Sequence, residues 1–271
     1  MKVAALQMVS CPRRDDNLTA ARMLLNEAAA SGVELAVLPE YFGAVNARDT
    51  DKLALRESPG DGEVQSFLSQ SARELGLWIV GGTLPMACDD PCKVRNTVLV
   101  YSPQGECVAR YDKIHLFRFD NGQEHYDEGR TIEPGHTPVQ FHVKSRSGRT
   151  WCVGLSVCYD LRFPELYRQH ARAGADLLLV PSAFTHTTGQ AHWEVLLRAR
   201  AVENQAYVLA PAQGGLHETG RRTWGHSMLV DPWGEVLAVQ AEGPGVVAGM
   251  LDADRLQQVR LQLPALEHRV L

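Results

Sequence analysis

The run Val153-Gly154-Leu155-Ser156-Val157-Cys158-Tyr159-Asp160-Leu161-Arg162 begins as an apolar strand and stops at a thiol, and Phe163-Pro164-Glu165-Leu166 then opens a helix. A strand passing directly into a helix is the building unit of α/β proteins. A side chain on such a corner stands at the sheet edge, where a small molecule can reach it. Most free cysteines are inert buried hydrophobes. Cys158 therefore reads as a nucleophile only if it has partners elsewhere in the chain.

The flanking sequence supplies them. Leu35-Ala36-Val37-Leu38-Pro39-Glu40 has the pattern of a buried strand that closes on a carboxylate. Glu106 to Asp112 is strand-like and leads to Lys113, ahead of Ile114-His115-Leu116-Phe117. Glu40, Lys113 and Cys158 thus stand at the ends of predicted strands, where α/β sheets carry their chemistry.

Helices and strands alternate around these points. The spacing of Leu18, Ala21, Leu25 and Ala28 predicts a helix capped by Asp15-Asp16-Asn17 and stopped at Gly32. Val64, Phe67, Leu68, Ala72 and Leu75 predict a second, stopped at Gly76. Strands follow at 77–80 and 97–101, and Ser102-Pro103-Gln104-Gly105 turns the chain into the strand before Lys113. Strand 150–157, helix 164–173, strand 176–182, helix 190–204 and strand 206–212 repeat the scheme. Strands 226–231, 235–240 and 245–251 and a terminal helix from about 253 complete it. The alternation argues for α/β layers in one domain spanning 1–271.

The blocks Leu38-Pro-Glu-Tyr-Phe42, Tyr111-Asp-Lys-Ile-His-Leu-Phe117 and Ser156-Val-Cys-Tyr-Asp-Leu-Arg-Phe-Pro-Glu-Leu166 come in the order found in the nitrilase superfamily of carbon–nitrogen hydrolases. Ala191-His192-Trp193-Glu194 through Arg200, and Gly225-His226-Ser227-Met228 to Gly234, extend the match along essentially the whole chain. This resemblance implies a four-layer α-β-β-α sandwich and a catalytic set of Glu40, Lys113 and Cys158. It also implies a homodimer or larger homo-oligomer. Glu128 aligns with a second glutamate of many members, with Asp127 as the competing assignment.

A free thiol has a pKa near ~8.5 and needs a base or a depressed pKa to attack an amide. Glu40 is the expected base, since a carboxylate in a partly dry pocket can be raised toward neutrality. The ammonium of Lys113 and the backbone N–H of Tyr159 would hold the oxyanion. His115, His186 and His192 offer a rival Cys–His dyad. Ser182, Ala183, Phe184 and Thr187 are expected to line the pocket. Arg162 either pairs with Glu165 or binds a substrate carboxylate. Arg198, Arg200 and Glu203 read as a structural ion-pair network on their helix.

The segments 191–203 and 225–234 look closest to the branch that hydrolyses amides of small 2-oxo diacids. Ala212-Gln-Gly-Gly-Leu-His217 resembles the deaminated glutathione enzymes more than the omega-amidases of 2-oxoglutaramate and 2-oxosuccinamate. Phe117-Arg118-Phe119-Asp120 departs from the pattern of that group. A reading from another class is an inactive small-molecule-binding protein with the same fold.

Bulk composition agrees with an enzyme of this kind. The 271 residues are 45% hydrophobic and 22% charged, ordinary globular values. A net charge of −5 offers no basic footprint for nucleic acid. No run approaches the ~18 apolar residues of a membrane helix, and Val3 to Met8 reads as a first strand rather than a secretory segment. Six scattered cysteines fit a reducing, cytoplasmic setting. Cys88-Asp-Asp-Pro-Cys92 has no second ligand pair at zinc spacing, so neither metal nor organic cofactor is expected.

Overall fold

The computed structural model describes residues 1–270. In chain order the first half forms β1 (Lys2–Gln7), α1 (Arg14–Ala30), β2 (Leu35–Val37), α2 (Glu63–Leu75), β3 (Trp78–Val80), β4 (Leu84–Ala87), β5 (Val94–Tyr101) and β6 (Cys107–Asp112). A ribbon of β7 (Arg118–Asp120) and β8 (His125–Asp127) leads onward. Next come β9 (Gln140–Lys144), β10 (Thr150–Leu155), α3 (Pro164–Arg172), β11 (Leu177–Leu179), α4 (His186–Asn204) and β12 (Tyr207–Ala210). The chain closes with β13 (Gly214–Leu216), β14 (Arg222–Trp224), β15 (Ser227–Val230), β16 (Val236–Gln240), β17 (Gly245–Met250) and α5 (Ala253–Gln262).

These strands build two mixed sheets. One runs β17-β1-β2-β3-β5-β4 with β6 also on β5; the other runs β16-β15-β12-β11-β10-β9. β1, β2 and β3 are parallel, as are β10, β11 and β12. Alternate side chains of a strand point to opposite faces, and β1 shows the consequence. Val3 and Ala5 join a core shared with Leu177 and Leu179 of the other sheet. Ala4 and Leu6 pack instead with Leu18, Ala21 and Leu25 of α1. The second sheet is covered by α3 and α4, which bury Tyr167, Trp193 and Leu197. Helix, sheet, sheet, helix is the layering the resemblance implied.

Two helix starts differ from the sequence reading. α1 begins at Arg14, so Asp15 and Asp16 lie inside its first turn, where negative charge suits the helix N-terminus. Asn17 is buried, and its amide donates to the carbonyls of Cys11 and Gly43 at 2.7 and 2.9 Å. α4 begins at His186, ahead of the expected 190, because Thr185 caps it through its hydroxyl.

Candidate active site

Cys158, and the residue that follows Glu40, stand at strand ends in an unusual backbone state. Cys158 has φ +49°, a left-handed conformation that costs a side chain roughly 1–2 kcal/mol. Tyr41, next after Glu40, has φ +56°. The amide of Cys158 is engaged with Pro181 O at 3.0 Å. Cys158–Arg162 is a 3₁₀ turn, and the first amides of a helical turn lack an acceptor within it. Tyr159 N–H is therefore the donor nearest the sulfur in sequence that the turn itself leaves unsatisfied. Buried Asp160 holds the corner in place: it accepts from Val157 N at 2.9 Å, Tyr111 Oη at 2.6 Å and His115 N at 2.9 Å.

The two sheets bring their strand ends together here. Glu40 Oε1 accepts from Lys113 Nζ and from Asn96 Nδ2, both at 2.9 Å. Its Oε2 accepts from the amide of Ala183, past β11 of the other sheet, at 2.9 Å. Lys113 also reaches Glu128, 3.0 Å from Oε1 and 2.9 Å from Oε2. Glu128 is anchored further by Tyr41 Oη at 2.8 Å and by the amide of Phe117 at 2.7 Å. Glu40 and Lys113 are 1% exposed and Cys158 is 8% exposed.

Burial dominates the electrostatics. It pushes the Cys158 thiol well above its ordinary range, and the charge of Glu40 adds to the rise while Lys113 opposes it. Burial alone would lower Lys113, but the carboxylates of Glu128 and Glu40 outweigh it and hold the ammonium above its usual value. Burial would likewise raise Glu128, yet the Lys113 charge and the Phe117 amide bring it below the usual carboxylate range. The resting site is thus a neutral thiol beside a fixed cation. The charge of Glu40 bears on that thiol and favours its protonated form.

The other expected site residues divide. Tyr159, Arg162, Ala183 and Phe184 line a small cavity with Cys158 and Phe117. Thr185 and Thr188 complete that wall. Thr187 does not share it: it is exposed, and its hydroxyl donates to Glu124 at 2.9 Å. One helical turn separates residues 185 and 188, so the inward face of α4 passes over 187. Ser182 is also turned away, buried with its hydroxyl on Val180 O at 3.0 Å. Arg162 lies 3.3 Å from His192 Nδ1 and makes no ion pair with Glu165 among the described residues.

The histidines have other work. His115 bonds Asp160 at 2.7 Å and stacks on Phe163, and His186 packs edge-on to Trp224. His192 sits inside α4 rather than at its start. Arg200 pairs with Glu203 at 2.8 Å, whereas Arg198 turns to Glu194 at 3.4 Å and to Gly234 O. Asn96, Tyr41 and Asp160 escaped the sequence reading. A polar amide inside the apolar run of β5 was the available signal for Asn96, because buried polar groups in strands need a partner.

A thiol on a strained strand-to-helix corner, beside a carboxylate clamped by a buried ammonium, defines a class of proteins able to carry an acyl group on sulfur. The chain belongs to the carbon–nitrogen hydrolase family, whose sequence model matches residues 2–261. It is 42% identical to the deaminated glutathione amidase of Synechocystis sp. strain PCC 6803, over 98% of this chain and 97% of that protein. It is 43% identical to the deaminated glutathione amidase of Mus musculus, over 98% of this chain and 82% of the relative. Among solved structures, the C. elegans NitFhit protein superposes with a TM-score of 0.88 at 35% identity, covering 99% of this chain. The chain spans 65% of the length of NitFhit. The family makes this protein a hydrolase of carbon–nitrogen bonds in small molecules.

Proposed function

We propose that this chain is a cysteine-dependent amidase of small 2-oxo acids, with deaminated glutathione as its substrate. One observation carries the mechanism: buried Glu40 bonds Lys113 Nζ at 2.9 Å, and its charge acts on the thiol of Cys158. Glu40 takes the thiol proton as sulfur attacks the amide carbonyl. The ammonium of Lys113 and the Tyr159 amide hold the oxyanion. Collapse of the tetrahedral intermediate breaks the carbon–nitrogen bond, and Glu40 returns the proton to the departing amine. Glu40 then deprotonates a water that cleaves the thioester, and the thiol regains its proton. Glu128 positions Lys113, a role its saturated carboxylate supports.

The likeness of 212–217 to the deaminated glutathione enzymes and the two relatives of that name support the substrate. Amine or ammonia release is measured on deaminated glutathione, 2-oxoglutaramate, 2-oxosuccinamate, glutamine, asparagine and simple nitriles. Deaminated glutathione leads that panel, and Cys158→Ala abolishes its turnover. Removing the Lys113 ammonium lowers kcat by roughly a hundredfold or more, as for other oxyanion donors. Preferred hydrolysis of 2-oxoglutaramate would make the chain an omega-amidase, and binding without turnover would make it an inactive relative.

The enzyme works in the cytoplasm as one domain and as a homodimer or larger homo-oligomer. Val195 and Val202 of α4 and Trp233 beside them, each at least half exposed, support contact with a second copy. Sedimentation of wild type against Val195→Glu checks this, with the monomer expected only for the variant.

A further inference from the structure

A cleft beside the reactive cluster carries a charge imbalance that the mechanism does not use. Its walls include Tyr41, Asn96, Phe117 and Glu128, all of which touch the cluster, and four cations: Arg14, Arg48, Lys52 and Arg221. Two of these are already satisfied. Arg14 bonds Leu55 O at 2.8 Å and Glu63 at 3.3 Å. Arg48 is largely exposed and held by Asp51 at 2.9 Å.

Lys52 and Arg221 are different. The Lys52 side chain is only 12% exposed, and its nearest acid, Asp49, is 3.8 Å away, beyond hydrogen-bond reach. Arg221 has no carboxylate within ion-pair distance among the described residues; one Nη donates to Ala183 O at 3.2 Å. Its Nε is buried without a partner. Leaving a buried donor orphaned is costly, so such groups are normally satisfied by something. Burial lowers the pKa of Lys52, and the charges of Lys113 and Arg221 lower it further against the pull of Asp49 and Glu128. Three acids, Asp49, Asp127 and Glu128, line the cleft; Glu128 cannot relieve the two cations, because Lys113, Tyr41 and Phe117 occupy both its oxygens. Asp127 is one of the three and forms no ion pair among the described residues.

We propose that Lys52 and Arg221 form the seat for a carboxylate of the substrate, making the enzyme select amides that bear an acid group a few bonds from the scissile carbonyl. The seat lies close to the chemistry. Ala183 gives its carbonyl to Arg221 and its amide to Glu40, and it lines the cavity at Cys158. A substrate with its carboxylate between the two cations and its amide over the sulfur would therefore span from Arg221 to the reactive cluster. This inference rests on the amidase reading and names the residues that give it specificity.

The test compares 2-oxoglutaramate with its neutral methyl ester in wild type, Lys52→Gln, Arg221→Gln and Arg162→Gln. The readout is the ratio of kcat/KM for acid over ester, which cancels general losses of activity. Wild type favours the acid, and the ratio falls about tenfold or more in the Lys52 and Arg221 variants, the fold-change expected for one charge-assisted bond. An unchanged ratio in both variants overturns the proposal, as does a fall confined to Arg162→Gln. A wild type that treats acid and ester alike also overturns it while leaving the amidase reading intact. Calorimetry with glutarate on the Cys158→Ala protein separates the two readings. If no amide is turned over but glutarate binds and weakens about tenfold in both variants, the seat stands and the amidase reading falls.

Discussion

At Cys158 two effects pull against reactivity. The thiol is shielded from water and faces the charge of Glu40, and both keep its proton on. Lys113 opposes them without prevailing. Nucleophilicity must then arise in the complex, as the proton passes to Glu40 while the carbon–sulfur bond forms. Alkylation of Cys158 by iodoacetamide should accordingly rise with pH along a curve whose midpoint lies well above the ordinary thiol range. Glu40→Gln removes a negative charge from beside the sulfur, so its midpoint moves down. Mass spectrometry of the labelled peptide across pH reads both, and an unshifted or higher midpoint in the variant would refute this electrostatic account.

Among the elements, the strand ends are braced from behind by glycines. A Cβ on Gly82, which has φ +50°, would lie 2.0 Å from the carbonyl oxygen of Pro39, immediately before Glu40. A Cβ on Gly135 would lie 2.1 Å from that of Asp112, immediately before Lys113. Neither carbonyl can yield without moving the reactive residue that follows it. Gly82→Ala is therefore expected to fold but to displace Glu40, lowering kcat/KM on the best amide by about a hundredfold. A folded Gly82→Ala enzyme with unchanged kcat/KM would show that the strand end tolerates displacement. The sequence exposed the strand ends themselves, since two apolar runs and one strand-like segment each close on a reactive group. It did not expose these braces, because the glycines lie far along the chain from Gly135 to Asp112 and from Gly82 to Pro39.

For the whole molecule, the ion cluster fastens distant segments to one another. Glu40 and Lys113 follow strands of one sheet, Ala183 follows a strand of the other, and Glu128 comes from the loop after β8. The folded-state pKa of Glu128 is lowered from 4.5, so its contribution is present above that value and lost as pH falls through the lower folded one. The difference in melting temperature between wild type and Glu128→Gln should be largest near neutral pH and shrink on acidification below about 4.5. Calorimetric scans from pH 7 to 3 check it; a gap that widens in acid would contradict the assigned ion pairing. The sequence alone determined the alternating α/β layers, the apolar stripes of the helices and the three reactive strand ends, because these follow from local periodicity and from where a hydrophobic run stops. Only the tertiary structure decided that Asn96 and Ala183 hold Glu40, that Thr187 faces outward while Thr185 and Thr188 face in, and that Lys52 and Arg221 share a cleft. These contacts join residues from separate sheets and irregular loops, and no local pattern records which distant groups will meet when two sheets close face to face.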